Sequence, residues 1–232
     1  MVRLYLFAEG QTEQTFADNI LKLHLAQHGV FMDKIVLIAH ARKKGQVYRG
    51  GGRKYNPMKD DILRFLKQEK ASHVFFTTMI DLYAISPEFP RLAAAESLRQ
   101  DPVQRVEFLE NSFATDINDQ RFIPYIQLHE YEAYLFADPT WFEYFYDHRT
   151  TEIAALKAIA DQYETPELIN DGQHTAPSKR IIAQFPEYEK AKVTEGPQLA
   201  ELIGLETIRN RCPHFNAWLS KLESLSGECT DS

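Results

Sequence analysis

The sequence predicts an α/β fold, in which a mostly parallel β-sheet is flanked by helices and followed by a helical C-terminal half. Two observations lead to this fold class. Short runs rich in Val, Ile, Leu, Phe and Tyr alternate with helix-like periodicity in the first part of the chain, and such alternation favours a three-layered parallel sheet. The later sequence is helical in pattern, with proline punctuation and no comparable strand signal. We therefore predict a sheet domain over residues 1–135 and a helical region over residues 136–232 packed on it.

Four apolar runs are predicted to form the strands of this sheet. They are Val2–Ala8, Lys34–His40, His73–Met79 and Arg121–Leu128. Helices are predicted over residues 12–28, which end at the C-cap signal His28-Gly29, and over about residues 57–70. Because proline cannot donate to a strand ladder, Pro124 predicts an edge position or a bulge in the fourth run.

Composition and charge exclude several classes of protein. With 44% apolar and 25% charged residues, the chain resembles an ordinary globular protein. We expect a cytoplasmic location, because we see neither a bilayer-spanning apolar run nor a signal-peptide pattern. The net charge of −7 argues against coating of nucleic acid by the overall field, although it permits a local basic patch. Cys212 and Cys229 lack CxxC spacing, so the sequence predicts neither a disulfide framework nor a thiolate zinc site.

Acidic residues follow three of the four predicted strands. In parallel sheets, ligands bind off the carboxyl ends of the strands, so these side chains are expected to meet in one crevice. Carboxylates that close raise one another's pKa unless a cation neutralises them, and oxygen ligands select Mg²⁺ or Mn²⁺ over zinc. Two such ions would suit phosphodiester chemistry. The predicted metal ligands are Glu9, Glu13, Asp81, Glu130 and Glu132.

Each of these residues also has a structural interpretation. Glu13 in a first helical turn is favoured by the helix dipole alone, and Asp81 could cap the segment that follows its strand. His129 could be a ligand, a general base or a histidine satisfied by local hydrogen bonds. The sequence leaves open which of Glu130 and Glu132 faces the crevice, since that depends on whether the backbone there is helical or extended.

Two basic segments are candidates for contact with nucleic acid. Residues 40–54 contain no acidic side chain and include the glycines 50–52, so we interpret them as a mobile loop that clamps phosphates, with a solvated loop as the alternative. Lys179 and Arg180 lie in the first turn of a predicted helix, where an anion would be favoured, although a solvated helix start explains them equally well. The candidate nucleic-acid-binding residues are Arg42, Lys43, Lys44, Arg49, Arg53, Lys54 and Arg180.

Several common catalytic motifs do not occur in the sequence. We find no GxxxxGK[ST], GxGxxG, GxSxG or HExxH pattern. These absences argue against nucleotide hydrolysis by this chain itself.

Four segments carry a resemblance to a known group of proteins. EGQTE after the first strand, TTMIDLY after the third and IQLHEYEAYLF after the fourth, together with APSKRI, resemble a bacterial family of uncharacterised Toprim-like proteins. That family is related to the Toprim domains of the overcoming-lysogenisation-defect nucleases. The resemblance implies a Toprim fold and Mg²⁺-type ions bound by Glu9, Glu13, Asp81 and either Glu130 or Glu132. It also implies an ABC- or SMC-type ATPase partner in anti-phage defence.

One position departs from the Toprim pattern. Where most Toprim domains have a second aspartate two residues after the first, this chain has Tyr83. Tyrosine is a poor ligand for a hard cation at neutral pH because its ordinary pKa is about 10. Either one metal is lost, or His129 and Glu130 supply the missing contacts.

The sequence therefore supports three hypotheses. The first is a Mg²⁺- or Mn²⁺-dependent nuclease that serves as the effector of an ATPase-associated defence system. Its catalytic residues would be Glu9, Asp81, His129 and Lys179, with Lys179 or a cation from residues 40–54 at the scissile phosphate. The second is a catalytically degenerate partner or regulator of the ATPase, which Tyr83 favours. The third is a phosphotransferase or nucleotidyl-processing enzyme that uses the same acidic residues on a small nucleotide.

Overall fold

The computed structural model describes residues 1–43, 46–49, 54–83, 85–169, 172 and 174–228; only the backbone is described for residues 39–43 and 46–49 and for residue 228. Its main sheet has the strand order β2-β1-β5-β6, every neighbouring pair is parallel, and β7 continues the pairing along β5. The strands are β1 (Val2–Ala8), β2 (Val30–Leu37), β3 (Ala39–Lys43), β4 (Gln46–Arg49), β5 (Val74–Asp81), β6 (Phe122–Ile123) and β7 (Ile126–Gln127).

Helices cover both faces of this sheet. The α-helices are α1 (Gln11–Phe16), α2 (Lys22–Gln27), α3 (Tyr55–Gln68), α4 (Leu92–Ala95), α5 (Pro102–Ile117), α6 (Thr150–Ala160), α7 (Pro177–Gln184), α8 (Tyr188–Ile203), α9 (Leu205–Arg211) and α10 (Pro213–Glu228). A π-helical turn (Ala17–Leu21) joins α1 to α2, and 3₁₀ turns occupy Glu96–Leu98, Tyr131–Phe136, Pro139–Tyr144 and Pro166–Leu168. The predicted fold class is confirmed: a mostly parallel sheet is flanked by helices and followed by a helical C-terminal half.

Strand β1 shows why the sheet has two cores. Side chains of a strand alternate between its faces, and here both faces are apolar. Leu4 and Leu6 belong to a core shared with α8 and α10, whereas Tyr5 and Phe7 belong to a core shared with α3 and α5. The sequence of β1 is therefore apolar almost throughout because each of its faces packs against a hydrophobic core.

The helix after β1 ends as its sequence predicts. His28 follows α2, and Gly29 has a φ of 73°, the left-handed conformation that glycine adopts at low cost after a helix. The N–H of Gly29 donates to the carbonyl of Ala26 at 3.1 Å. This turn lets the chain reverse into β2.

Pro124 divides the predicted fourth strand into β6 and β7 at the edge of the sheet. The hydroxyl of Thr78 bridges the break, since it donates to the carbonyl of Tyr125 and accepts from the Tyr125 N–H, both at 2.9 Å. Thr77 makes the analogous contact with the carbonyl of Ile123 at 2.6 Å. The paired threonines thus replace ladder hydrogen bonds that the interrupted strand cannot make.

Two sequence expectations in the region of residues 30–54 were wrong. The second strand begins at Val30 and ends at Leu37, earlier than the predicted bounds 34–40. The expected loop over residues 40–54 contains an antiparallel hairpin of β3 and β4. Val47 and Tyr48 favour strands, and the glycines and charges of the segment masked that tendency. Residues 44, 45 and 50–53 lie outside the described residues.

Within the described part of the chain, none of the helices has both the length and the apolar character needed to cross a bilayer.

Candidate metal centre

Glu9 and Asp81 lie side by side at the carboxyl ends of neighbouring strands. Glu9 immediately follows β1, and its N–H donates to the carbonyl of Met79 at 3.0 Å, which extends the pairing with β5 by one residue. Its Oε2 accepts from the backbone N–H of Asp81 at 3.0 Å. The parallel register of β1 and β5 therefore brings together two side chains that are 72 residues apart.

Glu13 reaches the same place from the first turn of α1. Its Oε2 accepts from the N–H of Gly10 at 2.8 Å, which caps the helix. A β-carbon at Gly10 would lie 3.0 Å from that oxygen, so the glycine makes room for the carboxylate. Glu13 is only 7% exposed. The EGQTE segment thus forms a strand-to-helix turn that directs both of its carboxylates to the sheet edge.

Glu130 and Glu132 approach from the other side. Glu130 is extended and precedes the 3₁₀ turn Tyr131–Phe136, which contains Glu132, and both side chains are buried. The N–H of Tyr131, between them, donates to Asp81 Oδ1 at 3.0 Å. Because the backbone changes conformation between these two glutamates, both lie close enough to Asp81 for their charges to raise its pKa. Together, Glu9, Glu13, Asp81, Glu130 and Glu132 define the acidic crevice.

The electrostatics of the acidic crevice reflect excess negative charge. Burial raises the pKa of Glu13 to about 7, and the charges of Glu9 and Glu132 add to this effect. Burial also raises the pKa of Asp81 well above its ordinary value, together with the charges of the other four carboxylates. Hydrogen bonds from backbone N–H groups lower the pKa of Glu13, but this effect is smaller than the increase caused by burial.

Lys192 of α8 provides a cation at the rim of the acidic crevice. Its Nζ lies 2.9 Å from Glu132 Oε1. Burial alone would lower the pKa of Lys192, but the charges of Glu132, Glu130 and Asp81 raise it above its ordinary value. Lys192 is therefore charged at neutral pH and offsets part of the negative charge of the acidic crevice.

The N-terminus of α7 contacts Glu130. The N–H and the hydroxyl of Ser178 donate to the two carboxylate oxygens of Glu130 at 2.9 and 3.1 Å. The sequence indicated an anion at this helix start, and the structure places the protein's own Glu130 there. Ser178 fixes Glu130 and ties α7 to the sheet edge, while the hydrogen bonds lower the pKa of Glu130 against the larger effect of burial, which raises it.

The family described as Domain of unknown function (DUF4276) matches residues 8–223. The chain belongs to this family. No curated protein matches the sequence.

Two solved structures are similar to this DUF4276 chain. One is the C-terminal region of the Xanthomonas campestris pv. campestris OLD protein, with 12% identity, coverage of 98% of each chain and a TM-score of 0.44. The other is the C-terminal region of the Burkholderia pseudomallei OLD protein, with 16% identity, coverage of 96% of this chain and 99% of that chain, and a TM-score of 0.41.

Other predicted site residues lie outside the acidic crevice or at its margin. His129 is 4% exposed and has a φ of 63°, an uncommon conformation for a residue other than glycine. Its carbonyl accepts from the N–H of Tyr83 at 2.7 Å. Lys179 is exposed. Arg180 donates to the Thr175 carbonyl at 2.7 Å and to the hydroxyl of a tyrosine at 3.0 Å, so its guanidinium is held within the protein.

The basic segment is described only in part. Lys44 and Arg53 lie outside the described residues, as do the side chains of Arg42, Lys43 and Arg49. Lys54 is described and exposed. It lines a surface cavity together with Ile38, Glu9, Asp81 and Tyr83, so the C-terminal end of the segment lies beside two residues of the acidic crevice.

Lys192 and Ser178 were not identified as site residues from sequence. Lys192 lies in an ordinary helix of mixed polarity, and its contact with Glu132, 60 positions earlier, arises from tertiary packing. Ser178 had a local signal, because serine beside proline at a helix start is a common anion contact. Nothing in the surrounding residues indicates that the anion it meets is Glu130.

Proposed function

We propose that this chain is a metal-dependent nucleic-acid phosphodiesterase of the Toprim type. The observation that carries the proposal is the acidic crevice itself, because five carboxylates from three chain segments converge there with too few positive charges to balance them. A cluster of this kind costs free energy unless protons or cations neutralise it.

The donor set fits a hard divalent cation. The side chains offer oxygen ligands, which Mg²⁺ and Mn²⁺ prefer. The raised pKa values of Glu13 and Asp81 mean that a bound cation would take the place of protons. When bound, the metal would supply Lewis acidity and a water of lowered pKa for attack on phosphorus.

The protein's own residues hold these ligands in place. Glu13 accepts its backbone hydrogen bond through Oε2 and Asp81 through Oδ1, so each can bind a cation through its second oxygen. Both oxygens of Glu130 accept from Ser178. We therefore assign the fourth ligand to Glu132 and a positioning role to Glu130, with Glu9 and Asp81 at the centre of the site.

Cations beside the acidic crevice suit a polyanionic substrate. Lys192 contacts Glu132 and lies close enough to Asp81 to be affected by its charge, so its ammonium can bind a phosphate oxygen next to the metal. Lys54 lines the same cavity as Glu9 and Asp81. Lys179 is exposed in the first turn of α7, beside the residue that binds Glu130. These positions favour nucleic acid over an uncharged substrate.

The resemblance to Toprim-like proteins extends the proposal to a partner. We propose that the nuclease works with an ABC- or SMC-type ATPase as the effector of an anti-phage defence system. Co-purification with such an ATPase, and dependence of cleavage on ATP, would test this part separately from the chemistry.

A second candidate function is a catalytically degenerate partner of the ATPase. Three features favour it: Tyr83 replaces the second aspartate, Ser178 occupies both oxygens of Glu130, and Lys192 pairs with Glu132. Calorimetric titration with Mn²⁺ separates the two functions, because a degenerate site should show no binding that depends on the carboxylates.

Cleavage assays test the nuclease directly. Single- and double-stranded DNA and RNA are incubated with Mg²⁺ or Mn²⁺ and with wild type, Glu9→Gln or Asp81→Asn. Asp161→Asn, at an exposed position after α6, is the matched control. We expect both crevice variants to lose activity by at least about 100-fold and the control to retain it. Equal residual activity in all four proteins would refute the proposal, and activity on free nucleotides alone would favour a small substrate.

A further inference from the structure

We propose that His24, His28 and Glu223 form a second metal site, distinct from the acidic crevice and suited to a transition ion such as Zn²⁺. His24 and His28 belong to the C-terminal part of the first helical segment, and Glu223 belongs to α10. Glu13 lies eleven residues before His24 in the same segment, which corresponds to about 16 Å along the axis. The two sites are therefore separate.

The spacing of the donor atoms supports a shared ion. The ligand atoms of the three residues all lie within 4.8 Å of one another. His24 Nε2 is 2.5 Å from Glu223 Oε1, and His28 Nε2 is 3.8 Å from the same oxygen. Ligands about 2.1 Å from a tetrahedral ion are about 3.4 Å apart, so small side-chain rotations suffice. Among the described residues, no trio of crevice carboxylates is gathered so tightly.

The local structure explains why these side chains meet. Residues four apart lie on the same face of a helix, and the two imidazole centroids are 4.9 Å apart. Gly29, directly after His28, lies against α10, where a β-carbon would be at an ordinary contact distance of 3.4 Å from Ser226 Cβ. Histidine nitrogens with one carboxylate oxygen are a common ligand set for catalytic zinc, with water in the fourth position. The 41% exposure of the His28 side chain gives solvent access to that position.

Arg209 holds the carboxylate of Glu223 in place. Its guanidinium binds Glu223 Oε2 at 3.1 Å and is itself fixed by Asn216 at 2.7 Å and Ser220 at 3.2 Å. Its Nη1 also contacts Glu223 Oε1 at 2.5 Å and lies 3.5 Å from His24 Nε2. A bound ion would replace these two Nη1 contacts, while the contact with Oε2 continues to orient the carboxylate. Because the guanidinium competes for Oε1, its charge sets a limit on the affinity for the ion.

A bound ion would connect distant parts of the chain. His24 and Glu223 are 199 residues apart, and α10 packs on the sheet core that the N-terminal strand also shares. The metal would thus fasten the C-terminal helix to the N-terminal layer. Since the folded state presents the three ligands together and the unfolded chain does not, binding must raise thermal stability.

Spectroscopic titration with Co²⁺, a reporter for Zn²⁺, tests the site in the full chain. We expect wild type to bind one histidine-ligated Co²⁺ with visible absorption bands, Zn²⁺ to displace it, and either ion to raise the melting temperature. His28→Ala and Glu223→Gln should each weaken binding more than about tenfold. The control His148→Ala removes an exposed histidine beside Asp147 and should bind as wild type does.

The design separates this site from the nuclease. Glu9→Gln should leave the Co²⁺ bands intact even if it abolishes cleavage, and His28→Ala should fold normally because its side chain is partly exposed. Absence of Co²⁺ binding to wild type would overturn the proposal. So would equal affinity in wild type, His28→Ala and Glu223→Gln, with circular dichroism confirming that the variants are folded.

Discussion

Replacing Glu13 with glutamine should stabilise the ion-free protein above neutral pH. Glutamine keeps an oxygen that accepts the hydrogen bond from Gly10, and it is as favourable as glutamate in this capping position. It differs mainly in carrying no charge. The substitution therefore isolates the cost of ionising a buried carboxyl group beside Glu9 and Glu132.

The size of the effect follows from the pKa of Glu13. The pKa rises from its ordinary value of 4.5 to about 7 in the folded protein. Below pH 4.5 the carboxyl is protonated in both states, so it adds no pH-dependent cost. Between pH 4.5 and 7 the folded state binds more protons than the unfolded state, and stability falls as pH rises. Above pH 7, ionisation of Glu13 lowers the free energy of unfolding by about 3 kcal/mol in total.

Urea denaturation in the presence of EDTA measures this difference. The free energy of unfolding of Glu13→Gln relative to wild type should increase by about 3 kcal/mol between pH 4 and pH 8. Adding Mg²⁺ at pH 8 should reduce the difference in free energy of unfolding between Glu13→Gln and wild type, since a bound ion would stabilise the charged carboxylate of wild type. Glu206→Gln, which removes an exposed glutamate from the first turn of α9, is the control. A difference that does not change with pH would refute the reasoning.

Three further predictions concern contacts around the sheet and the acidic crevice. Trp218→Phe should lower the free energy of unfolding by about 2 kcal/mol, because the buried indole N–H donates to Thr77 at 2.9 Å; urea denaturation measures this. Glu110→Gln should lower the pKa of His214, which contact with this carboxylate raises against the opposing effect of burial; an NMR titration of the imidazole would detect it. Lys192→Met should lower the free energy of unfolding by about 1–2 kcal/mol at pH 8, because its buried carboxylate partner loses its counter-charge; urea denaturation measures this, and an unchanged free energy would contradict it.

The sheet was predictable where burial makes the sequence pattern simple. Strands β1 and β5 are apolar on both faces, so continuous runs of β-forming residues identified them to within about two residues. The early bound of β2 was missed because Asp33, at an exposed position, interrupts the apolar run. The hairpin was missed because β3 and β4 pair only with each other and not with the main sheet. Charged residues also dominate the composition of this segment.

The candidate site was predictable through the topology of the sheet. Parallel strands end at one edge, so carboxylates that follow different strands could be expected to meet, and Glu9 and Asp81 are in contact. The orientation of Glu130 could not be predicted, because it depends on Ser178 at the start of a helix 48 residues away. The role of Lys192 could not be predicted either, since only the packing of α8 against the sheet edge brings it to Glu132.

The hydrogen bonds of the acidic crevice bear on the choice between a working and a degenerate site. Backbone N–H groups donate to Glu9, Glu13, Asp81 and Glu130, and such donors favour the ionised form of a carboxyl group. Even so, burial and mutual repulsion keep the pKa of Asp81 well above its ordinary value. A partner protein that binds no ion would bear this cost without any compensation, whereas amides at the same positions would avoid it. The uncompensated charge is therefore the physical reason to favour a bound cation, which the proposed nuclease requires and a degenerate partner does not.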